Sequence, residues 1–415
     1  MDQVDRSKTT FRACLVGAYL FSVPAFAYSE SLGLLIIPQI IGALLVAYAI
    51  LDILGSLKIK IPYEIWLYGL MGLWAAITFI FGPRTGEWGT LSLGTLIKVA
   101  TATLACAQLI KDETDLLTAL KIFVFSILFF YALNRDDLQF LRVAGQITED
   151  ERFAGTLINP NFAAMFSLTV IWASVHLFLH SRKKLLKGAL YLVPIALSLL
   201  VIYYSGSKKG LIGIGLYVLF LARLLYLRQT SFYRKIFIIL ASSSLIIVAG
   251  YFIYTSPFFF RIEQFIYGGS VSDARRLELA SEAIHVWLLN WKTFIMGVGY
   301  DNFRLYSSLQ AYAHSTPLEL LASNGLVGFS LFMGFLGLLF RKFIYLFRHA
   351  LNQELKSIFF STLIFLSLYS FFMLAEVLHD SREMLPILGC LAAYGQYQLL
   401  RLRQSQENEA PAPVP

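Results

Sequence analysis

Apolar runs of about 20 residues recur from one end of the chain to the other, and each is long enough to cross roughly 30 Å of hydrocarbon as a helix. Hydrophobic residues make up 57% of the chain and charged residues only 14%, outside the usual range of a soluble domain. The length rule predicts about twelve spans. They run approximately Phe11–Tyr28, Leu32–Leu54, Ile65–Gly82, Leu91–Ile110, Leu117–Asn134, Asn161–His180, Leu186–Tyr204, Gly210–Leu227, Ile236–Tyr254, Leu326–Tyr345, Ile358–Val377 and Met384–Leu402. The expected fold class is all-α, a polytopic membrane protein. It divides into spans one to nine within 1–255, a large outer loop at 256–325 with short amphipathic helices, spans ten to twelve within 326–403, and an irregular cytoplasmic tail at 404–415.

Orientation follows from the basic residues, because short cytoplasmic loops hold Lys and Arg back from translocation. Every second loop is basic: Lys58 and Lys60; Arg182, Lys183, Lys184 and Lys187; Arg228, Arg234 and Lys235; Arg341, Lys342, Arg348 and Lys356. Both termini are therefore expected in the cytoplasm. Part of the net charge of +8 is this topology signal and an attraction to anionic lipid heads, so it gives no reason to expect a nucleic-acid partner. Cys14, Cys106 and Cys390 fall inside expected spans, and no structural disulfide is expected. Phe11–Ala27 ends in Ala25-Phe26-Ala27, the small-residue pattern of a cleaved signal peptide, yet a polytopic chain does not need one and the run is read as a span.

With that topology most outward segments are short: Ser29–Ser31, Pro83–Thr90, Ser205–Lys209 and Leu378–Glu383. Arg135–Pro160 is longer, and Ser256–Gly325 is by far the longest excursion. A transporter built on inverted repeats spreads its loops more evenly between two halves, so one dominant outer loop points to chemistry or binding at that surface. Within it, Ser272–Trp291 has helical periodicity, with Leu277, Ala280, Ile284, Trp287, Leu288 and Trp291 on one face, and is expected to lie along the membrane surface. Ser272 or Asp273 supplies the N-cap. Arg275 and Arg276 sit in the first turn, where cations oppose the helix dipole and call for an anionic partner.

His314 is followed by Ser315-Thr316-Pro317-Leu318-Glu319, which reads as a helix start with a capping box from Thr316 to Glu319 and Pro317 at the first helical position; Gly325 after Asn324 is a stop. The positive end of a two-turn helix just behind His314 should keep its imidazole neutral, the state a general base requires. Glu319 then reads as a cap rather than a catalyst.

His314-Ser315, nine residues, then Gly325-Leu326-Val327-Gly328 resembles the H-[NSQ]-x9-G-x-x-G pattern of the O-antigen ligase and polymerase superfamily. Three further pieces resemble the family in order: Arg152-Phe-Ala-Gly-Thr-Leu-Ile-Asn-Pro-Asn161, Ser205-Gly-Ser-Lys-Lys-Gly210, and Arg276-Leu-Glu-Leu with the later Gly297-Val-Gly299. The likeness runs from about Arg152 to Gly328. Lys208 stands where arginine is usual, keeping charge but losing the bidentate fork, and Ser323 stands where many members have glutamate.

The resemblance implies a GT-C-like membrane fold and an O-antigen ligase. Such an enzyme moves a glycan from undecaprenyl diphosphate to a hydroxyl of the lipid A–core oligosaccharide, at the periplasmic face of the bacterial inner membrane. A sugar on a diphosphate is already activated, which leaves two tasks. Neutralising the departing diphosphate suits fixed cations in a water-poor cleft, and these are read as Arg276 with Lys208 or Lys209, aided by Arg152. Taking the proton of the attacking hydroxyl is assigned to His314, and one-step displacement with one base implies inversion. Lys98, about two turns into its span, is a further candidate for the diphosphate or a structural partner of a buried carbonyl. Arg275 is a further candidate for the diphosphate, the less favoured alternative being that the Arg275-Arg276 doublet anchors a lipid headgroup.

Rival readings stand beside these. His379, next to Asp380 and near Arg382 and Glu383, is the main rival base; His176, His180 and His349 fall at cytoplasmic span ends and read as interfacial, and His285 as wetted. Asp136-Asp137 and Glu149-Asp150-Glu151 are the outer carboxylate clusters and read as solvated charge, so neither metal nor other cofactor is expected. A polymerase extending the glycan on its carrier, a protein O-glycosyltransferase and a lipid-linked glycan flippase remain alternatives.

Overall fold

The computed structural model describes residues 3–26, 36–82, 87–135, 159–180, 190–228, 236 and 271–409. Its helices, in chain order, are α1 (Gln3–Phe26), α2 (Ile36–Ser56), α3 (Tyr63–Phe81), α4 (Glu87–Leu109), α5 (Glu113–Val124), α6 (Ser126–Leu133), α7 (Pro160–His180), α8 (Leu192–Ser205), α9 (Lys208–Arg228), α10 (Val271–Trp287), α11 (Trp291–Met296), α12 (Thr316–Arg348), α13 (Gln353–Met373) and α14 (Leu385–Glu409). The chain is an all-α polytopic membrane protein: among the described residues seven helical stretches are long and apolar enough to cross a membrane, and Phe11–Phe26 and Leu192–Ser205 are shorter apolar helices. Each expected span corresponds to a described helix or helix pair, except Ile236–Tyr254, which lies outside the described residues apart from Ile236.

Local chemistry sets several helix ends. Asp112 caps α5 by accepting the Asp115 N–H at 2.9 Å, and Asn352 caps α13 through Leu355 at 2.9 Å. α8 stops where Gly206 turns left-handed. α14 runs past Gln404 to Glu409, further than the irregular tail expected from the sequence, because Gln404–Glu409 contains no proline or glycine to stop it.

α7 is the most enclosed candidate span, with 89% of its apolar window buried against 11% for α2. It packs on α8, α13, α5 and α9, while α3 lies between α12 and α4, and α4 packs on α14. All three cysteines are free thiols, Cys106 and Cys390 lying buried side by side where α4 meets α14.

Charged side chains at one end of the bundle are paired across helices. Arg12 reaches Asp115 at 2.8 Å and Asp112 at 3.6 Å, Lys111 pairs with Asp52, and Glu113 meets His180 at 3.2 Å. His176 was expected at an interface, but it is fully buried between Trp172, His180 and Tyr394. The opposite end gathers the segments read as outward: the C-terminus of α3, the N-termini of α4, α7, α9, α12 and α14, and the loop 374–384.

At that end α12 is interrupted. Gly325 has φ 64° and ψ −169°, so Thr316–Asn324 forms a short helix and the spanning part begins after it. The carbonyls freed by the break are taken by the turn before it: Val298 N–H donates to Ala322 O and Gly299 N–H to Ser323 O, both at 2.9 Å, while Trp74 Nε1 donates to Asn324 O at 2.9 Å. Near lipid, where water is scarce, such carbonyls must find partners inside the protein. The close backbone crossing leaves no room for a side chain: a Cβ on Gly325 would sit 2.2 Å from Ile295 O, and one on Gly297 2.3 Å from the Ser323 carbonyl carbon.

Gly325→Ala therefore combines a glycine-only backbone conformation with a main-chain clash and is expected to cost at least about 2 kcal/mol. Gly337→Ala, in the same helix, adds a Cβ that meets nothing within 4 Å, and should match or slightly exceed the parent. Thermal unfolding of both variants in detergent checks this; equal midpoints would contradict the interlock.

Candidate active site

His314 is the hinge of the site, and its backbone is clamped from both sides. Ala313 N–H donates to Glu319 Oε2 at 2.9 Å, and Thr316 N–H donates to Glu376 O at 3.0 Å. Between these anchors His314 takes φ 51°, left-handed and uncommon for a residue with a side chain. Such a conformation persists only where the surroundings over-determine it, which is a property of functional loops.

The helix behind it starts one residue earlier than the capping box implied. Ser315 is the N-cap, with no side-chain cap bond. The Thr316 hydroxyl instead donates to Glu376 O at 2.7 Å and accepts from Leu378 N–H at 2.8 Å, stitching α12 to the loop after α13. Glu319 reaches back past the cap to Ala313 and also accepts from Ser323 Oγ at 2.7 Å, so it is a buried brace of the loop.

Cations converge on the His314 ring from two directions. α10 docks by Leu279, Ala283 and Val286 against Val298, Phe303, Ala313 and Ala322, which puts the His314 ring in the field of half-buried Arg276 and leaves Arg275 exposed. The helix ends at Trp287, not Trp291; Asn290 and Thr293 form a capping box that starts α11. Of the face expected to meet the membrane, Leu277, Ile284, Leu288 and Trp291 are exposed, Leu277 at 75% and Trp291 at 77%, while Ala280 and Trp287 are half-buried. The second direction is α9, where Ser207 accepts from Gly210 N–H and donates to Asn161 Oδ1 at 3.0 Å, leaving Lys208 and Lys209 half-buried in the first turn.

Glu376, read as the end of a span, is 1% exposed and lies where these elements meet. Asn161 Nδ2 donates to its Oε1, Asn159 Nδ2 to Oε2 at 3.2 Å, and Lys209 Nζ stands 3.6 Å from Oε1 while donating to Ala375 O at 3.2 Å. The Asn-Pro-Asn segment is thus a carboxylate cradle at the head of α7. The signal that could have found Glu376 is a lone acid at the boundary of an apolar run, where charge without a function is rare.

Burial holds the His314 imidazole below its ordinary pKa; Glu376 opposes this by raising it, and Arg276 and Lys209 lower it further. The expected direction came from a helix end, whereas desolvation is the larger cause. The half-buried ring lies against Tyr312, centroids 4.2 Å apart, with Nδ1 buried and unpartnered. Burial also lowers the pKa of the rival, His379, against Asp380 and Asp301, which raise it. His379 is 3% exposed, edge-on to Tyr300 and Phe332, and lines a cavity of about 250 Å³.

Not every residue singled out in the sequence joins this group. Lys98 is exposed on α4, one turn beyond Thr95, and is not part of the cavity wall. Arg152 and the carboxylates of 136–137 and 149–151 lie outside the described residues.

Residues 193–333, from α8 into the spanning part of α12, match the family model for O-antigen ligase. The match contains His314, Arg276, Lys208 and Lys209 and stops short of Glu376. No curated protein matches the chain.

An NMR titration of the His314 ring in detergent should give a midpoint below the ordinary value of about 6.5. Glu376→Gln removes the charge that favours imidazolium and should move the midpoint lower still; Arg276→Gln should move it up. An upward move in Glu376→Gln would overturn the electrostatic assignment.

Proposed function

On the premise of that family match, we propose that the protein is an O-antigen ligase of lipopolysaccharide biosynthesis. It transfers a glycan from undecaprenyl diphosphate to a hydroxyl of lipid A–core, in the bacterial inner membrane, with the site on the periplasmic side and both termini in the cytoplasm. The reading rests on one observation above others: the His314 imidazole, its proton affinity lowered chiefly by burial, lies in the fields of Arg276 and Lys209, which brings a candidate base and cations suited to a diphosphate together.

In the transfer, His314 takes the proton of the acceptor hydroxyl as its oxygen bonds to the anomeric carbon. The bond from that carbon to the diphosphate breaks, and its electron pair leaves with the diphosphate. Arg276, Lys208 and Lys209 stabilise the charge that gathers there, which is the task fixed cations in a dry site do best. Arg152 is a further candidate for the diphosphate, and Arg275 suits the distal phosphate or a lipid headgroup. A single base and a single displacement invert the anomeric centre. Glu376 holds Lys209 in place and keeps the imidazole's proton affinity from falling too far to accept a proton.

Purified protein given undecaprenyl-diphosphate glycan and lipid A–core, without nucleotide or added metal, should yield ligated product with inverted configuration. His314→Ala should lower the rate by roughly 10²–10⁴-fold, the usual contribution of a positioned base. Elongated glycan still on its lipid carrier would assign a polymerase instead, and lipid movement without any product would assign a flippase.

A further inference from the structure

The cavity of about 250 Å³ beside Tyr312 plays no part in the steps above. It is lined by Asp301, Glu319, Asp380 and Glu383 together with Arg304 and Arg382. Arg304 Nη2 donates to both carboxylate oxygens of Asp301, at 2.6 and 2.7 Å, and Arg382 Nη2 donates to Thr95 Oγ1 at 3.0 Å. Acids outnumber arginines, and both arginines are already engaged, so the cavity offers a diphosphate no surplus of positive charge.

The wall mixes hydroxyl, carboxamide, carboxyl and guanidinium groups, from Ser92, Thr95, Ser323, Asn324, Asp380 and Arg382. A wall of that composition suits a ligand that both donates and accepts hydrogen bonds. Tyr300 and Tyr312 add apolar ring surface with a polar tip. The volume lies below the roughly 300–1,000 Å³ of pockets for drug-sized ligands and suits one ring rather than an oligosaccharide.

Tyr312 links this cavity to the base. Its ring touches His314, and it lies in the fields of Arg276 and Glu376 as well as Glu319 and Arg304. Resting on the glycosyl-transfer reading, we propose that this cavity is the acceptor subsite, binding one neutral pyranose ring so that one of its hydroxyls faces His314. The cations then serve the donor and the carboxylate-rich cavity serves the acceptor, with the base between them.

Steady-state transfer with detergent-purified full-length protein tests this with Glu383→Gln, which alters one carboxyl of the wall, and Thr95→Phe, which fills the space. Both should raise the acceptor KM at least tenfold and leave the donor KM within twofold, the latter showing that the fold is intact. An unchanged acceptor KM in both, or a rise in donor KM instead, overturns the proposal while leaving ligation standing. Absence of transfer by the parent protein would defeat the ligase reading itself. Calorimetry with free core oligosaccharide, which needs no turnover, then decides the cavity: heat in the parent that Thr95→Phe abolishes supports a sugar site, and no heat overturns it.

Discussion

A carboxylate that is almost wholly removed from water can persist only if its surroundings answer every lone pair, and the surroundings of Glu376 come from three separate parts of the bundle. Asn159 and Asn161 open α7, Lys209 stands in the first turn of α9, and the main-chain carbonyl of Glu376 itself fixes the first turn of α12. Breaking a buried pair by removing one partner typically costs about 3–5 kcal/mol, so the acid ties these helix ends together as strongly as many apolar contacts would. The geometry of His314 depends on it directly, because Thr316 cannot hold its place unless the Glu376 carbonyl does.

Much of this was legible before any coordinates. Most of the described spans follow from length and apolarity alone. Gly325 read as a stop and is one, since a residue with a side chain cannot adopt its backbone angles. Glu376 was missed because a single acid at the end of an apolar run carries no spacing signal; its meaning lies in Asn159, Asn161 and Lys209, far away in sequence. The capping box failed for a related reason. Thr316 had a better partner in the loop after α13, and tertiary bonds of that kind are invisible to local rules. The amphipathic helix was read with its two apolar sides unequal: the outward stripe was seen, while the narrower inward stripe of Leu279, Ala283 and Val286, which positions Arg276, was not.

The two histidines at the site end show how environment separates similar residues. Both are depressed chiefly by burial, yet His314 is set against cations and a single acid, whereas His379 sits among tyrosine, phenylalanine and aspartates. A lowered proton affinity therefore does not single out the base. What separates them is the charge each faces, and only His314 lies in the fields of Arg276 and Lys209.

The crossing of Gly297 and Gly325 bears on how the chain matures. The turn at 297–299 emerges during synthesis before the carbonyls of Ala322 and Ser323 that it binds, and Asn324 O closes on Trp74, made some 250 residues earlier. The segment bearing His314 can thus acquire its final form only after the following hydrophobic stretch has entered the bilayer and docked on α3. Ribosome-bound chains that end before that stretch would carry every residue of the 271–315 segment and still lack the fold that makes it work.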